Sequence, residues 1–308
     1  MTDGAHRHLL SLGDLDDASL DGLLQRAARF AGSLDERGPV AESLAGTTVV
    51  NLFHESSTRT RASFELAART LGARVLNLDV TRSSTTKGES LTDTVRTLHA
   101  MRVATFVVRH GGDGALRALA ADLRGLPLSI VNAGEGRTEH PTQALIDTLT
   151  LERRFGRCEG LRIAVVGDIA HSRVARSAIA VLTRRGADVR IAGPASLLPE
   201  TPPAGASVHA SLDAALDGVH AVMTLRVQRE RIAAGGAPDE AAYHAEWGLS
   251  EARLARTAPE AVVLHPGPFN RGVELTSELA DGPRSLILTQ VALGVPVRMA
   301  VLEWAAGR

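Results

Sequence analysis

The chain has 308 residues, 44% of them hydrophobic and 22% charged, with a formal net charge of −1. That length allows two packed domains, the composition excludes a disordered chain, and the near-neutral balance gives no nucleic-acid or membrane-surface signal. A single cysteine, Cys158, excludes an internal disulfide and any multi-cysteine metal site. The start, MTDGAHRHLLSLGDL, has no basic stretch leading into an apolar segment, and no apolar run comes near the roughly 18 residues of a membrane span. A cytoplasmic enzyme is the expectation. Of the 34 basic residues only Lys87 is lysine, so arginine is the default cation and that one exception needs a reason.

In chain order, short runs rich in valine and isoleucine occur at TVVNLF (48–53), RVLNLDV (74–80), ATFVVR (104–109) and LSIVNA (128–133). They continue at RIAVVG (162–167), DVRIAG (188–193), HAVMTLR (220–226) and AVVLHP (261–266). Helical spacing lies between most of them. Phe64, Ala67, Ala68 and Leu71 fall at i, i+3, i+4 and i+7, closed by Gly72 at C′, and Leu91, Val95 and Leu98 repeat the pattern. Strands that are apolar throughout and alternate with helices predict an α/β protein with doubly wound parallel sheets. A helix from about His140 to Phe155, followed by GRCEG (156–160), marks where one sheet ends and the next begins, leaving about four strands on each side. TPPAGAS (201–207) and AAGGAP (233–238) read as surface loops.

Open α/β sheets bind ligands beyond the carboxyl ends of their strands. After TVVNLF comes HESSTRTR, which sets four hydroxyl side chains and two arginines in the six positions Ser56 to Arg61. Most other strand exits likewise carry arginine, histidine or clustered hydroxyls and few acids: TRSSTTKGES, Arg109 with His110, EGRTEHPTQ, IAHSRVARS, Arg226 with Gln228, and HPGPFNRG. Such exits would collect anions. A helix starting near Ser57 or Thr58 offers free N–H groups and the positive end of its dipole to an oxyanion, and Arg59 adds a forked donor. Arg59 and Arg61 cannot both face one site at a spacing of two, so the second is expected on a carboxylate such as Glu89. The plainer alternative is an N-cap beside solvated arginines.

No GxxxxGK[ST], no GxGxxG after a strand, no GxSxG and no HExxH occurs. His140, His171 and His265 stand apart without acidic partners at ligand spacing, so no metal is expected and His171 reads as structural.

STRTR before an apolar helix, HPTQ at 140–143 and HPGP at 265–268 resemble the carbamoyltransferases. Within that family TTKGES (85–90), GDIAHSRVARS (167–177) and LRVQRER (225–231) are similar to the branch that uses aspartate. The resemblance covers about Leu9 to Glu303. It implies two α/β domains with the active site in the cleft between them: residues 1–142 for carbamoyl phosphate, with a terminal helix at 286–308 packing back, and 143–285 for aspartate. It also implies pyrimidine biosynthesis as the setting and no cofactor.

Carried over by position, the resemblance puts Ser57, Thr58, Arg59 and Thr60 on the phosphate. Thr60, Arg109 and His140 fall on the carbonyl oxygen, and Gln143 with the backbone carbonyls of Gly267 and Pro268 on the amide nitrogen. Arg173 and Arg226, the latter beside Gln228, meet the two carboxylates of aspartate. Ser83 and Lys87 enter from a neighbouring subunit, where a compact ammonium can touch phosphate and carboxylate together. That implies a homotrimer, and some family members further associate with a regulatory chain or a dihydroorotase. HPGP departs from the leucine-containing turn of some relatives, but the role there belongs to a backbone carbonyl. An ornithine carbamoyltransferase would share STRTR and HPTQ, yet typically carries an Asp, an SMG string and a cysteine in an HCLP turn, where Arg226 and Gly267 stand here. A silent scaffold subunit would be marked by loss of Lys87, Arg109 or His140, and all three are present.

Overall fold

The computed structural model describes residues 6–79, 89–228 and 238–308. Two compact units result: Met1–Leu149 with Ala292–Arg308, and Thr150–Val291. Against the expected 142 and 285, the units change over inside two helices, α5 (Pro141–Phe155) and α11 (Ile287–Ala305).

In the first unit α1 (Asp17–Asp35) precedes a βα series: β1 (Thr48–Phe53), α2 (Thr58–Thr70), β2 (Arg74–Asp79), α3 (Leu91–Ala100), β3 (Thr105–His110), α4 (Ala115–Asp122) and β4 (Ser129–Glu135). The sheet order is β2-β1-β3-β4, and every pairing is parallel. The chain leaves β1 toward β2 on one side and returns to β3 on the other, so the crossovers diverge at the carboxyl ends of β1 and β3. Val50, Leu52, Phe106, Val108 and Ile130 pack with Val95, Leu116 and Leu119 from the helices, all buried. Each such side chain contributes about 1.5–3 kcal/mol of burial.

The second unit contains β5 (Arg162–Val166), α6 (Arg173–Arg184), β6 (Asp188–Ala192), β7 (Ala206–Val208), α7 (Leu212–Leu216), β8 (Ala221–Thr224), α8 (Glu240–Trp247), α9 (Glu251–Thr257), β9 (Val262–Leu264) and α10 (Ser277–Asp281). Its parallel order β7-β6-β5-β8-β9 repeats the divergence, now between β5 and β8. Alternate residues of β5 enter different cores. Ile163 and Val165 join Ala178, Ile179 and Leu182 of α6, whereas Ala164 and Val166 join Leu212, Leu216, Tyr243 and Leu254. Burial on both faces explains why these strands are apolar at every position.

All eight apolar runs form strands. A ninth, β7, falls at the end of the expected 201–207 loop: a three-residue edge strand, half-exposed to exposed, has no apolar run to announce it. Helix α11 corrects a second expectation. Its 19 residues are long and apolar enough to cross a membrane by length and composition, yet 67% of that window is buried inside the protein and it carries buried Gln290 and Arg298, the pattern of a core helix.

The α2 terminus follows the sequence rule closely. Gly72 N–H donates to Arg69 O at 2.9 Å and Ala73 N–H to Ala68 O at 2.9 Å, closing a Schellman turn with Gly72 at φ 80°. A Cβ there would lie 2.8 Å from Glu42 Cβ. Gly72→Ala is therefore expected to lower stability by about 1–2 kcal/mol in urea denaturation.

Candidate functional site

Each topological switch point carries a set of polar side chains, beginning with the turn from β1 into α2. Ser57 is the N-cap of α2, in extended geometry at φ −159° and ψ 103°, but its side chain makes no capping hydrogen bond. The caps of α1, α3 and α6 behave differently: Asp16, Ser90 and Ser172 each accept from the third residue beyond. The α2 start thus keeps its N–H groups and the positive end of its dipole available to an anion. Thr58 and Arg59 are exposed there, Ser57 is half-buried and Thr60 is buried. Neither Arg59 nor Arg61 forms an ion pair with Glu89 among the described residues, and Glu89 is exposed, so the expected structural partner is not found.

Arg109 stands beside this turn, because β1 and β3 are hydrogen-bonded neighbours and His54 N–H donates to Arg109 O at 2.9 Å. The register between β3 and β4 shifts between Val108 and His110, at the position of Arg109. The guanidinium is steadied by Glu55, at 3.2 Å from Nε, and donates through Nη1 to Ala133 O at 3.3 Å. Burial, then the neighbouring His110 ring, hold His54 below the usual histidine value.

His140, 5% exposed, precedes α5 after the exit from β4. One turn on, Gln143 donates its amide nitrogen to Asp147 Oδ1 at 2.8 Å. Ser57, Thr58, Arg59, Thr60, Arg109, His140 and Gln143 therefore share the carboxyl ends of the adjacent strands β1, β3 and β4.

The second unit gathers Arg173 after β5, Arg226 and Gln228 after β8, and Gly267 and Pro268 after β9, again three adjacent strands. Arg173 is the first residue of α6 and only 5% exposed. The segment carrying Arg226 is fixed on three sides. Leu225 N–H donates to Val166 O at 2.8 Å, Val227 N–H to Glu274 Oε1 at 3.2 Å, and Gln228 N–H to Asp168 Oδ2 at 3.0 Å. The other oxygen of Asp168 holds His171 Nδ1 at 2.8 Å, while Gln228 Nε2 donates to His171 O at 3.0 Å. Gly167, at φ 117°, lets these loops meet: a Cβ would sit 2.7 Å from Leu225 O. Gly267, at φ 62°, precedes a cis bond to Pro268, and its N–H donates to His265 Nδ1 at 2.8 Å.

Ser83 and Lys87 lie outside the described residues, as does the stretch 229–237 with most of the expected 233–238 loop. Sequence reading missed Glu55, Asp147, Asp168 and Glu274. Each is a carboxylate that orients a donor or a loop in a neighbourhood chosen for its cations, and only its position beside a strand exit could have signalled it. Among the described residues no group of three His, Cys, Asp or Glu side chains could hold a metal.

Two parallel sheets present an uncapped helix start at the switch point of one unit and, in the other, a buried Arg173 and an Arg226 on a pinned loop, the kind of arrangement with which α/β proteins bind small anions. Comparison with known proteins narrows the class. The model described as "Aspartate/ornithine carbamoyltransferase, carbamoyl-P binding domain" matches residues 7–153, and "Aspartate/ornithine carbamoyltransferase, Asp/Orn binding domain" matches residues 159–305. The chain is 51% identical over 309 residues to the aspartate carbamoyltransferase catalytic subunit of Xanthomonas campestris pv. campestris (strain B100), covering 99% of this chain and 98% of that one. It is equally 51% identical over 308 residues to that of Stenotrophomonas maltophilia (strain K279a), covering 99% and 97%. Among solved structures, aspartate transcarbamoylase from Trypanosoma cruzi in complex with carbamoyl phosphate and aspartate superposes with a TM-score of 0.85 at 30% identity, covering 97% of each chain. The chain belongs to the aspartate/ornithine carbamoyltransferase family.

Glu274 offers a test of the loop anchor. Burial raises its carboxyl above the ordinary carboxylate value, although it accepts N–H bonds from Asn270 and Val227. Between the unfolded and the raised folded value, the folded protein therefore keeps a proton that the unfolded chain releases. Glu274 adds stability fully below the unfolded value and loses it as pH rises toward the raised folded value. In urea denaturation across pH, the stability of the wild type relative to Glu274→Gln is expected to fall through that window. A difference that rises instead would contradict it.

Proposed function

We propose that this enzyme transfers the carbamoyl group of carbamoyl phosphate to the α-amine of L-aspartate, releasing N-carbamoyl-L-aspartate and phosphate, as a step of pyrimidine biosynthesis. The carrying observation is Arg226, an arginine on a segment pinned by Val166, Glu274 and Asp168, in a chain 51% identical to aspartate-using catalytic subunits. A planar guanidinium fork suits a carboxylate and opposes the cationic side chain of ornithine.

Ser57, Thr58, Arg59 and Thr60 hold the phosphate at the α2 start, and Arg109, His140 and Thr60 donate to the carbonyl oxygen. Gln143 accepts from the amide nitrogen through its side-chain oxygen, and the carbonyls of Gly267 and Pro268 accept from the same group. Arg173 and Arg226 hold the two carboxylates of aspartate, with Gln228 keeping the loop in register. The amine attacks the carbonyl carbon, and charge grows on the oxygen, where loss of one donor typically costs about 3–4 kcal/mol of barrier lowering. The departing phosphate takes the amine proton, so orientation and charge neutralisation are the protein's whole task and no covalent nucleophile is needed. A neutral His140 donating to the oxygen fits that role better than a general base.

The working oligomer in this proposal is a homotrimer in which Ser83 and Lys87 complete the site of a neighbouring subunit. Leu66 on α2 and Leu76 on the edge strand β2 are large apolar side chains left 55% and 45% exposed in the single chain, which supports an interface on that side.

Steady-state assays with aspartate and with ornithine test the substrate. Aspartate is expected to be turned over and ornithine not, and Arg226→Ala is expected to lower kcat/KM for aspartate about 100-fold or more while KM for carbamoyl phosphate stays nearly unchanged. Turnover of ornithine would overturn the assignment. Lys87→Gln and Arg59→Ala, each inactive alone, are expected to recover activity when mixed and reassembled. No recovery would remove the shared site.

A further inference from the structure

Arg298 has no place in the chemistry above, yet it is one of the least ordinary residues in the chain. It sits in α11, 3% exposed, with its guanidinium 5.0 Å from the centroid of the Phe64 ring and Nη1 donating to Gly294 O at 3.0 Å. Among the described residues no carboxylate pairs with it, and its Nε has no hydrogen-bond partner. Burial, then the nearby Arg109 cation, push it down to about 9. The neighbourhood belongs to the helix that starts at Ser57: Phe64 is the buried anchor of α2, and Gly294 lies against Ser63, where an added Cβ would sit 3.9 Å from Ser63 Cβ. A cation buried without a counter-charge under the helix that begins at Ser57 is an arrangement that an isolated fold disfavours. An anion bound nearby compensates that charge.

We infer that Arg298 is a positioning residue for the phosphate half-site: a buried cation under α2 that keeps the helix seated through Phe64 and adds positive potential at its start without touching the ligand. The inference rests on the reading of Ser57 to Thr60 as the phosphate site. Arg298 packs on Phe64, within the same helix α2 that begins at Ser57, and a unit charge in the weakly screened interior acts beyond its own contacts, so its removal should be felt at the ligand although no ligand contact is lost. A purely structural role would instead be confined to the Phe64 face and the Gly294 carbonyl.

Three variants separate these roles, with inorganic phosphate as the probe, measured by calorimetry and by competition against carbamoyl phosphate. Arg298→Gln keeps an amide donor for Gly294 O but no charge, Arg298→Met keeps the bulk alone, and Arg298→Lys keeps a cation. The Gln and Met variants are expected to weaken phosphate binding about tenfold, roughly one buried charge at moderate range. KM for carbamoyl phosphate should rise in parallel while KM for aspartate moves less than about twofold, and Arg298→Lys should recover most of the loss. If either neutral variant folds and binds phosphate like the wild type, or if Arg298→Gln matches Arg298→Lys, the inference is overturned. If wild-type phosphate binding does not compete with carbamoyl phosphate, the reading of the half-site fails instead.

Discussion

β1 and β5 each pair in parallel with two neighbours that the chain reaches in opposite directions, and the divergence of those crossovers leaves the carboxyl ends of the central strands uncovered by their own loops. The rest of the arrangement depends on this. In the first unit it frees the start of α2, whose serine cap makes no capping bond, and sets Arg109 beside it through the bond from His54 N–H to Arg109 O. In the second it brings the Leu225–Gln228 segment onto Val166 and Asp168. Neither unit needs a loop of its own design to make a ligand site.

What the switch points collect is charge, and the way each charge is held separates working groups from scaffolding. Arg109 is steadied by the half-buried Glu55, and the backbone that carries Arg226 by the buried Asp168 and Glu274. A flexible cation loses conformational entropy when it meets a ligand. One already oriented by a carboxylate or by its backbone has lost much of that freedom in folding, and this is the sense in which the site is preorganised.

Much of this could be read from residues alone, and the failures have definite causes. Strands buried on both faces must be apolar throughout, so eight runs announced eight strands, and α2 declared itself through Phe64, Ala67, Ala68 and the left-handed Gly72. Strand β7 stayed hidden because its three half-exposed to exposed edge residues make no apolar run. Helix α11 was expected at 286–308, but its spanning length went unremarked because Gln290, Pro296 and Arg298 interrupt its apolar run. The candidate cations and hydroxyls stood out as motifs, whereas Glu55, Asp168 and Glu274 did not, since an acid among basic residues gains meaning only once folding shows which N–H or guanidinium it meets. One of Arg59 and Arg61 was expected on a carboxylate such as Glu89 from spacing alone, and spacing does not fix the direction of an exposed side chain. Aspartate preference came from motif similarity and then from identity with named relatives, because fold and charge by themselves admit other amino acids.

The central claim is that the uncapped start of α2, with Arg109 beside it, is where the phosphoryl group binds. A crystal structure of the protein soaked with carbamoyl phosphate tests it most directly. The account predicts phosphate oxygens within hydrogen-bonding distance of the backbone N–H groups and hydroxyls of Ser57 to Thr60, with the carbonyl oxygen toward Arg109. Density for the phosphoryl group at any other helix start, with that turn left empty, would contradict it.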